Sequence, residues 1–416
     1  MFVIYDKAKD MVPIKVWLKD KSEIEESCLD QAIKLSELPF IHKWVSLMPD
    51  AHSGYGMPIG GVIATKGVII PNAVGVDIGC GVSFMQTNIP VKLLKEHREE
   101  GQSLLKLIID LIMKSIPAGQ TKHKSSIEHD GIKRIEEDLI VSGQASKNKE
   151  LFDSTFPNVY NQVMTLGSGN HFLELQEDEK GNLGIMIHSG SRNFGYRVAK
   201  YFNDKAIQLN KEWHSAVPED WELAFLPVNS DIGKDYIDWM NSALAFAKIN
   251  RTEMMKKARE IVYTVLANNT DFENVSESYV VDIHHNYASL ENHYGENVWV
   301  HRKGATRVRQ GELGIIPGAM GSNSYIVTGL QNPESFHSCS HGAGRKMSRK
   351  KALEKFTAVD ILKDLSKKEV ILGKQDTSNI ADECQYAYKD IDSVMMQQED
   401  LVTSIKKLKT IGVIKG

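Results

Sequence analysis

The chain has 416 residues, 42% of them hydrophobic and 25% charged, with a formal net charge of −4. This is ample for a large core, and it excludes a protein that grips a long nucleic acid through a global basic field; any nucleic-acid contact must be local, as at a strand end. Four widely spaced cysteines without a CxxC pair, no leader pattern at the start and no apolar run of about 18–20 residues predict a cytoplasmic protein with reduced thiols, off the membrane.

Up to about residue 90 the pattern predicts strands and glycine-rich turns. Residues 60–65 and 68–70 are short β-branched runs, and residues 50–61 and 75–81 are glycine-rich loops. Residues 91–116 carry leucine and isoleucine at helical spacing, with Gly101 as a weak point. Residues 117–126 read as a basic loop and 132–152 as helical pieces. Short strands around 172, 184–188, 278–284, 298–303 and 314–329 alternate with a helix starting near Tyr196 and a long helix over 234–268. Beyond residue 356 the pattern reads as mostly helical to residue 410, followed by a short apolar tail. No repeat or linker interrupts the chain, and no regular βαβ rhythm appears. The fold class is α+β, a single domain over 1–416, with a helical subdomain near 196–270 that protrudes.

Several of these strands end in a loop that offers a histidine, cysteine or carboxylate beside glycine or asparagine. Such loops are where reactive groups are held. Five residues are candidate metal ligands: Asp77 and Cys80 in GVDIGCG, His171 in GNHF, His188 in MIHSGSR and His285 in IHHNYA. Carboxylate, thiolate and imidazole together suit manganese, zinc or iron better than magnesium or calcium. Two such ions about 3.5–4 Å apart would clamp phosphoryl oxygens. Taken singly, each residue has a structural alternative: a histidine that only donates a hydrogen bond, a small buried cysteine, an aspartate closing its own turn.

A second constellation is SHGAGRKMSR, residues 340–349. His341 precedes a Gly-Ala-Gly turn expected to run into a helix, whose N–H groups and Arg345 would meet phosphate. A neutral imidazole there can attack a nucleotide α-phosphate. The alternative is a plain helix cap with a solvated basic face. GIIPGAMGSNS (314–324) and RKGAT (302–306) are further loops that either meet phosphate or merely turn.

Together these stretches resemble the RtcB family of RNA ligases. The resemblance is carried, in the family's order, by MPDAHSGYGMPIGGVIAT, IPNAVGVDIGCG, LGSGNHFLE, IHSGSR, HHNYA, RKGA, GIIPGAMG, SCSHGAGRKMSR, AYKDID and the terminal Lys415-Gly416. It implies an α+β fold of the RtcB type, with mixed or antiparallel sheets, flanking helices and a protruding helical segment. It implies an enzyme that joins 3′-phosphate or 2′,3′-cyclic phosphate ends of RNA to 5′-hydroxyl ends, in RNA repair or tRNA splicing. Two Mn2+ ions are implied, one on Asp77, Cys80 and His171 and the other on Cys80, His188 and His285, with the thiolate shared. GTP is the implied cofactor, its GMP held covalently on His341 before transfer to the RNA 3′-phosphate. Asn170, His171, Phe172, Leu173 and Glu174 would line its pocket, with His285 and Asn286. Pro317, Gly318, Ala319, Met320 and Ser324 would form another wall, and His341, Gly342, Ala343 and Gly344 a third. Lys415 would contact guanine. An archease-type activator and a monomeric state complete the expectation.

Tyr55 stands where well-known bacterial relatives often carry a basic residue, and Arg192-Asn193-Phe194 differs from some relatives too. Both bear on RNA-end preference. His52 and His284 are expected to support ligands or phosphate; His301, His337 and Cys339 are expected to be structural. Two other classes share parts of the pattern: a two-metal phosphoesterase, which needs neither His341 nor Lys415, and a non-catalytic RNA-binding protein.

Overall fold

Alternation along each strand decides which side chains go to which core. In Asn182–Ser189, Ile185 and Ile187 enter one apolar cluster and Met186 another. The computed structural model describes every residue except Asp10 and Gln375. Seven strands lie antiparallel in the order Glu277–His284, Gly81–Pro90, Asn182–Ser189, Phe172–Asp178, Val402–Lys415, Asn323–Gly329 and Leu313–Ile316; Ile371–Gly373 adds to Val402–Lys415 in parallel. A second sheet orders Phe2–Ile4, Ile14–Val16, Ile41–His52, Ile59–Thr65, Glu296–Lys303 and Asn286–His293, with its one parallel pair at Ile14–Val16 and Ile41–His52. The fold is therefore α+β, with mostly antiparallel sheets.

Helices cover both faces of the larger sheet. On one side Leu104–Ser115 and the second half of the long helix Asp231–Asn269 pack Ile108, Ile112, Met254 and Val262 onto Leu173, Leu175, Ile185 and Ile187. On the other, Ala352, Ile361 and Leu365 meet Phe84, Met186 and Val413. Asp130–Val141, Lys149–Gln162 and Arg192–Glu212 gather around the first half of the long helix through Phe156, Phe194, Trp239 and Phe246. A buried phenylalanine such as Phe246 contributes about 1.5–3 kcal/mol. This helical lobe carries the segment that the sequence sets apart, and its longest helix roots it on the sheet.

Three elements differ from expectation. The final stretch, read as helical to residue 410, is the strand Val402–Lys415. Its lysines suggest a helix, but seven of its fourteen residues are β-branched, and pairing on both sides overrides the local preference. Glu26–Ser36 is a helix within the region read as strands and turns, with Cys28, Ala32 and Leu35 on its buried face. Residues 91–116 break into Val91–Glu96 and Leu104–Ser115 around Gly101, whose φ is 84°. Among the described residues no helix is long and apolar enough to cross a membrane.

Register determines where the chemistry goes. Gly81 pairs with both Ser189 and His284, while Phe172 pairs with both His188 and Lys415. Five neighbouring strands therefore end together. At that edge the chain switches sheets at His285, whose N–H donates to the Cys80 carbonyl at 2.9 Å.

Candidate active site

The shared strand ends bring four of the five ligand candidates together, and the loop before Gly81 supplies the fifth. His171 Nε2 lies 3.0 Å from Asp77 Oδ2 and 3.5 Å from Cys80 Sγ. His188 Nε2 lies 3.3 Å from the same sulfur and 3.3 Å from His285 Nε2. Two donor sets result, Asp77–Cys80–His171 and Cys80–His188–His285, each with its atoms within 4.8 Å of one another. Gly190 allows the approach, since a Cβ there would strike the Asp77 carboxylate.

The protonation states suit cation binding. Burial, then the charges of neighbouring imidazoles, holds His188 and His285 well below the usual histidine range, so both rings are neutral. Burial alone would raise Asp77, but the His171 hydrogen bond and the Arg192 guanidinium outweigh it and keep the carboxyl below its ordinary value. Burial and the adjacent Asp77 push the Cys80 thiol far up. A thiol in this position becomes a thiolate only beside a cation. His188 Nδ1 has no protein partner among the described residues. The mixed carboxylate, sulfur and imidazole donor set therefore fits one or two divalent transition-metal ions.

His341 sits next to this cluster, its ring centroid 4.7 Å from that of His285. Fully buried Asp50 grips it: Oδ2 lies 2.7 Å from His341 Nδ1 and accepts the backbone N–H groups of His341 and Gly342 at 3.1 and 3.3 Å. An ionised carboxylate only accepts, so a neutral imidazole held this way places its proton on Nδ1 and leaves the Nε2 lone pair toward the cavities. Gly344, at φ 71°, lies against the Asp50 backbone where a Cβ would collide.

Two cavities meet at His341, with Asn170 and Ile59 also common to both. The first, about 270 Å³, is walled by Phe172, Glu174, residues 317–320 and 342–344, and Lys415. The second, about 400 Å³, contains Asp77, Cys80 and His285, with Tyr55 and Lys303 at its wall.

Comparison with known proteins decides the family. A family model described as "tRNA-splicing ligase RtcB" matches residues 31–416. The chain belongs to the RtcB family. It is 37% identical over 413 residues to "RNA-splicing ligase RtcB" of Escherichia coli K12, covering 97% of each chain. It is 33% identical to "tRNA-splicing ligase RtcB" of Pyrobaculum aerophilum and of Methanococcus maripaludis, covering 97% of this chain and 95% of each relative.

In this RtcB chain most residues expected around a nucleotide do line the first cavity: Asn170, Phe172, Glu174, residues 317–320, His341 to Gly344 and Lys415. Others lie elsewhere. Leu173 alternates to the far face of its strand and sits in the core. His285 and Asn286 line the second cavity, where Asn286 ties the loops at Asp77 and Gly304 together. Ser324 is buried and accepts the Gly318 N–H. The helix expected directly after the Gly-Ala-Gly turn starts only at Arg349. Arg345 is not a free anion donor either. It is held by Glu383 at 3.2 Å and the Asp382 carbonyl at 2.7 Å. His52 lines the first cavity, while His284 backs the loop that carries Asp77 and Cys80 through the Gly79 carbonyl. His301 accepts the Ile70 N–H, His337 packs on His293, and Cys339 is buried.

Sequence reasoning missed Asp50, Glu383 and Arg251. Glu383 binds Lys415, Arg345 and Arg349 at 3.1–3.2 Å. Burial opposes its ionisation, but those cations hold it down to about 2. Fully buried Arg251 donates to the carbonyls of Gly79 and Ser189 and to Asp282, bracing the loops that carry Cys80 and His188. Asp50 and His341 are 291 positions apart, so no spacing could pair them.

Proposed function

We propose that this chain is a GTP- and manganese-dependent RNA ligase that joins a 3′-phosphate or 2′,3′-cyclic phosphate end to a 5′-hydroxyl end. The reading rests on one observation: an imidazole with its Nδ1 held by a buried carboxylate stands where the first cavity meets two donor sets that share the Cys80 sulfur. We take residues 1–416 as one catalytic unit, since the site draws on residues from Asp50 to Lys415.

In this scheme GTP occupies the first cavity, with its base near Glu174 and Lys415. A carboxylate facing the N1–H and 2-amino edge and an ammonium facing O6 together select guanine over adenine. His341 Nε2 attacks the α-phosphorus, a P–N bond forms, and pyrophosphate leaves. The proton on Nδ1 stays against Asp50, which stabilises the positive imidazole. A 2′,3′-cyclic phosphate is first opened by water, which bonds to phosphorus as the P–O2′ bond breaks and the 2′-oxygen takes up a proton. An oxygen of the RNA 3′-phosphate then attacks the histidine-bound phosphorus, and the P–N bond breaks to give RNA(3′)pp(5′)G. Finally the 5′-hydroxyl oxygen attacks the RNA phosphorus, loses its proton, and GMP departs. Asp77, Cys80 and His171 would hold one Mn2+ and Cys80, His188 and His285 the other. Bound there, the ions would supply charge neutralisation and alignment for in-line displacement.

The test is a sealing assay on an RNA hairpin with a 2′,3′-cyclic phosphate and a 5′-hydroxyl. Joining should need both Mn2+ and GTP, should fail with ATP, and should vanish in His341→Ala. Joining that persists without His341, or ends that are hydrolysed but never sealed, would refute the reading.

A further inference from the structure

The loop over residues 53–57 stands on the lip of the second cavity, and its backbone is pinned from several directions. Gly54 exchanges two hydrogen bonds with the Gln31 side-chain amide. The Gly56 N–H donates to Glu222 Oε2 at 3.0 Å. The Tyr55 carbonyl accepts from buried Lys303 Nζ at 2.5 Å and from the Met57 N–H at 2.7 Å. The Tyr55 ring behaves oppositely. It is 67% exposed and has no hydrogen-bond, aromatic or cation partner among the described residues. The same lip carries Val76, 43% exposed and adjacent in sequence to Asp77. An anchored loop thus holds a large aromatic face in water at the mouth of the ligand-bearing cavity, and that face adds nothing to the core.

We propose that Tyr55 is a stacking platform for the terminal nucleobase of the RNA strand whose 3′-phosphate enters the second cavity. The proposal rests on the ligase reading for the identity of the strand. The base and the reactive phosphate belong to one nucleotide, so a base contact must sit at the mouth of the cavity that receives the phosphate. Tyr55 and Asp77 line that same cavity. Aromatic stacking accepts any base, because every base has a π-face, and splayed strand ends are commonly held this way. Val76 supplies an apolar neighbour on the same lip. A base lying there leaves the phosphate free to reach inward, past Asn286 and toward His341.

The probe is an RNA oligonucleotide ending in a 3′-phosphate, with 2-aminopurine as its last base, titrated with the Mn2+-loaded protein without a 5′-hydroxyl partner. Stacking should quench the fluorescence in wild type and in Tyr55→Phe. Tyr55→Ala should lose the quenching and bind about tenfold more weakly. A companion oligonucleotide with an abasic last nucleotide should bind wild type and Tyr55→Ala equally, and the two proteins should melt at the same temperature. Equal quenching in wild type and Tyr55→Ala, or an equal loss of affinity for the abasic end, would overturn the proposal. These are binding readouts, so they are separate from the sealing assay. A wild type that quenches but never seals would sink the ligase reading and leave the stacking site standing.

Discussion

Among the described residues, two buried clusters of histidines and carboxylates are built in opposite ways. In the first, Glu291 lies between Arg302 (2.5 Å) and His293 (3.1 Å), and Arg302 also donates to Ser338 Oγ and the Phe336 carbonyl at 2.9 Å. A carboxylate acceptor is thus enclosed by side chains that donate to it. Burial would raise Glu291, but Arg302 and the hydrogen bonds from His293 and Ser289 hold it far below the usual carboxylate range. In the second cluster Cys80, His188 and His285 turn ligand-capable atoms toward one another, with nitrogen facing nitrogen and nitrogen facing sulfur at 3.3 Å, and the Asp77–His171 pair closes on the same sulfur. The first arrangement is complete as protein and serves the fold. The second converges lone pairs and suits cations. Burial and histidine content do not separate structural from chemical clusters; the sign of what faces what does.

Mutations should split along that line. The largest effect is expected from Cys80→Ala, which removes the one atom common to both donor sets: the single-turnover sealing rate should fall by about a thousandfold or more. A loss under tenfold would break the comparison. Glu291→Gln should act on stability instead. Removing one partner of a buried pair costs about 3–5 kcal/mol, measurable by urea unfolding, while Mn2+ binding stays unchanged. Because Glu291 is depressed in the fold, its contribution is present above the ordinary carboxyl value and is lost as pH falls toward the folded one; Glu291→Gln should flatten that acid limb.

Glu174 sharpens the contrast at a smaller scale. Burial pushes it up to about 7, against hydrogen bonds from Gln176 and Thr410. A raised carboxyl favours the fold at low pH and loses that benefit as pH rises through 7. Glu174→Gln should therefore gain up to about 3 kcal/mol of stability at pH 8. It should also weaken GTP binding about tenfold at pH 8 and remove the decline in wild-type affinity expected as pH drops below 7, both by calorimetry. Unchanged GTP affinity would remove Glu174 from the base pocket.

Much of the geometry of the donor cluster was legible because four of the five candidates lie within one residue of a strand end, and antiparallel register then aligns those ends. Cys80, His171, His188 and His285 share an edge for that reason. The partners that organise the site were not legible. Asp50 and Glu383 act across the seam between distant segments, and pairings of that range leave no local period. Leu173 was misjudged because a motif counts consecutive residues, whereas a strand shows only alternate ones to a cavity. The last strand escaped notice because its lysines, of which Lys406 reaches Asp178 at 2.7 Å, mask a β-branched sequence.

The most direct measurement is a Mn2+ titration followed by the loss of the free-ion electron paramagnetic resonance signal. Wild type should take up two tight equivalents, His171→Ala and His285→Ala one each, and Cys80→Ala none. Two equivalents retained by Cys80→Ala, or none bound by wild type, would contradict the shared-sulfur pair of cation sites beside His341.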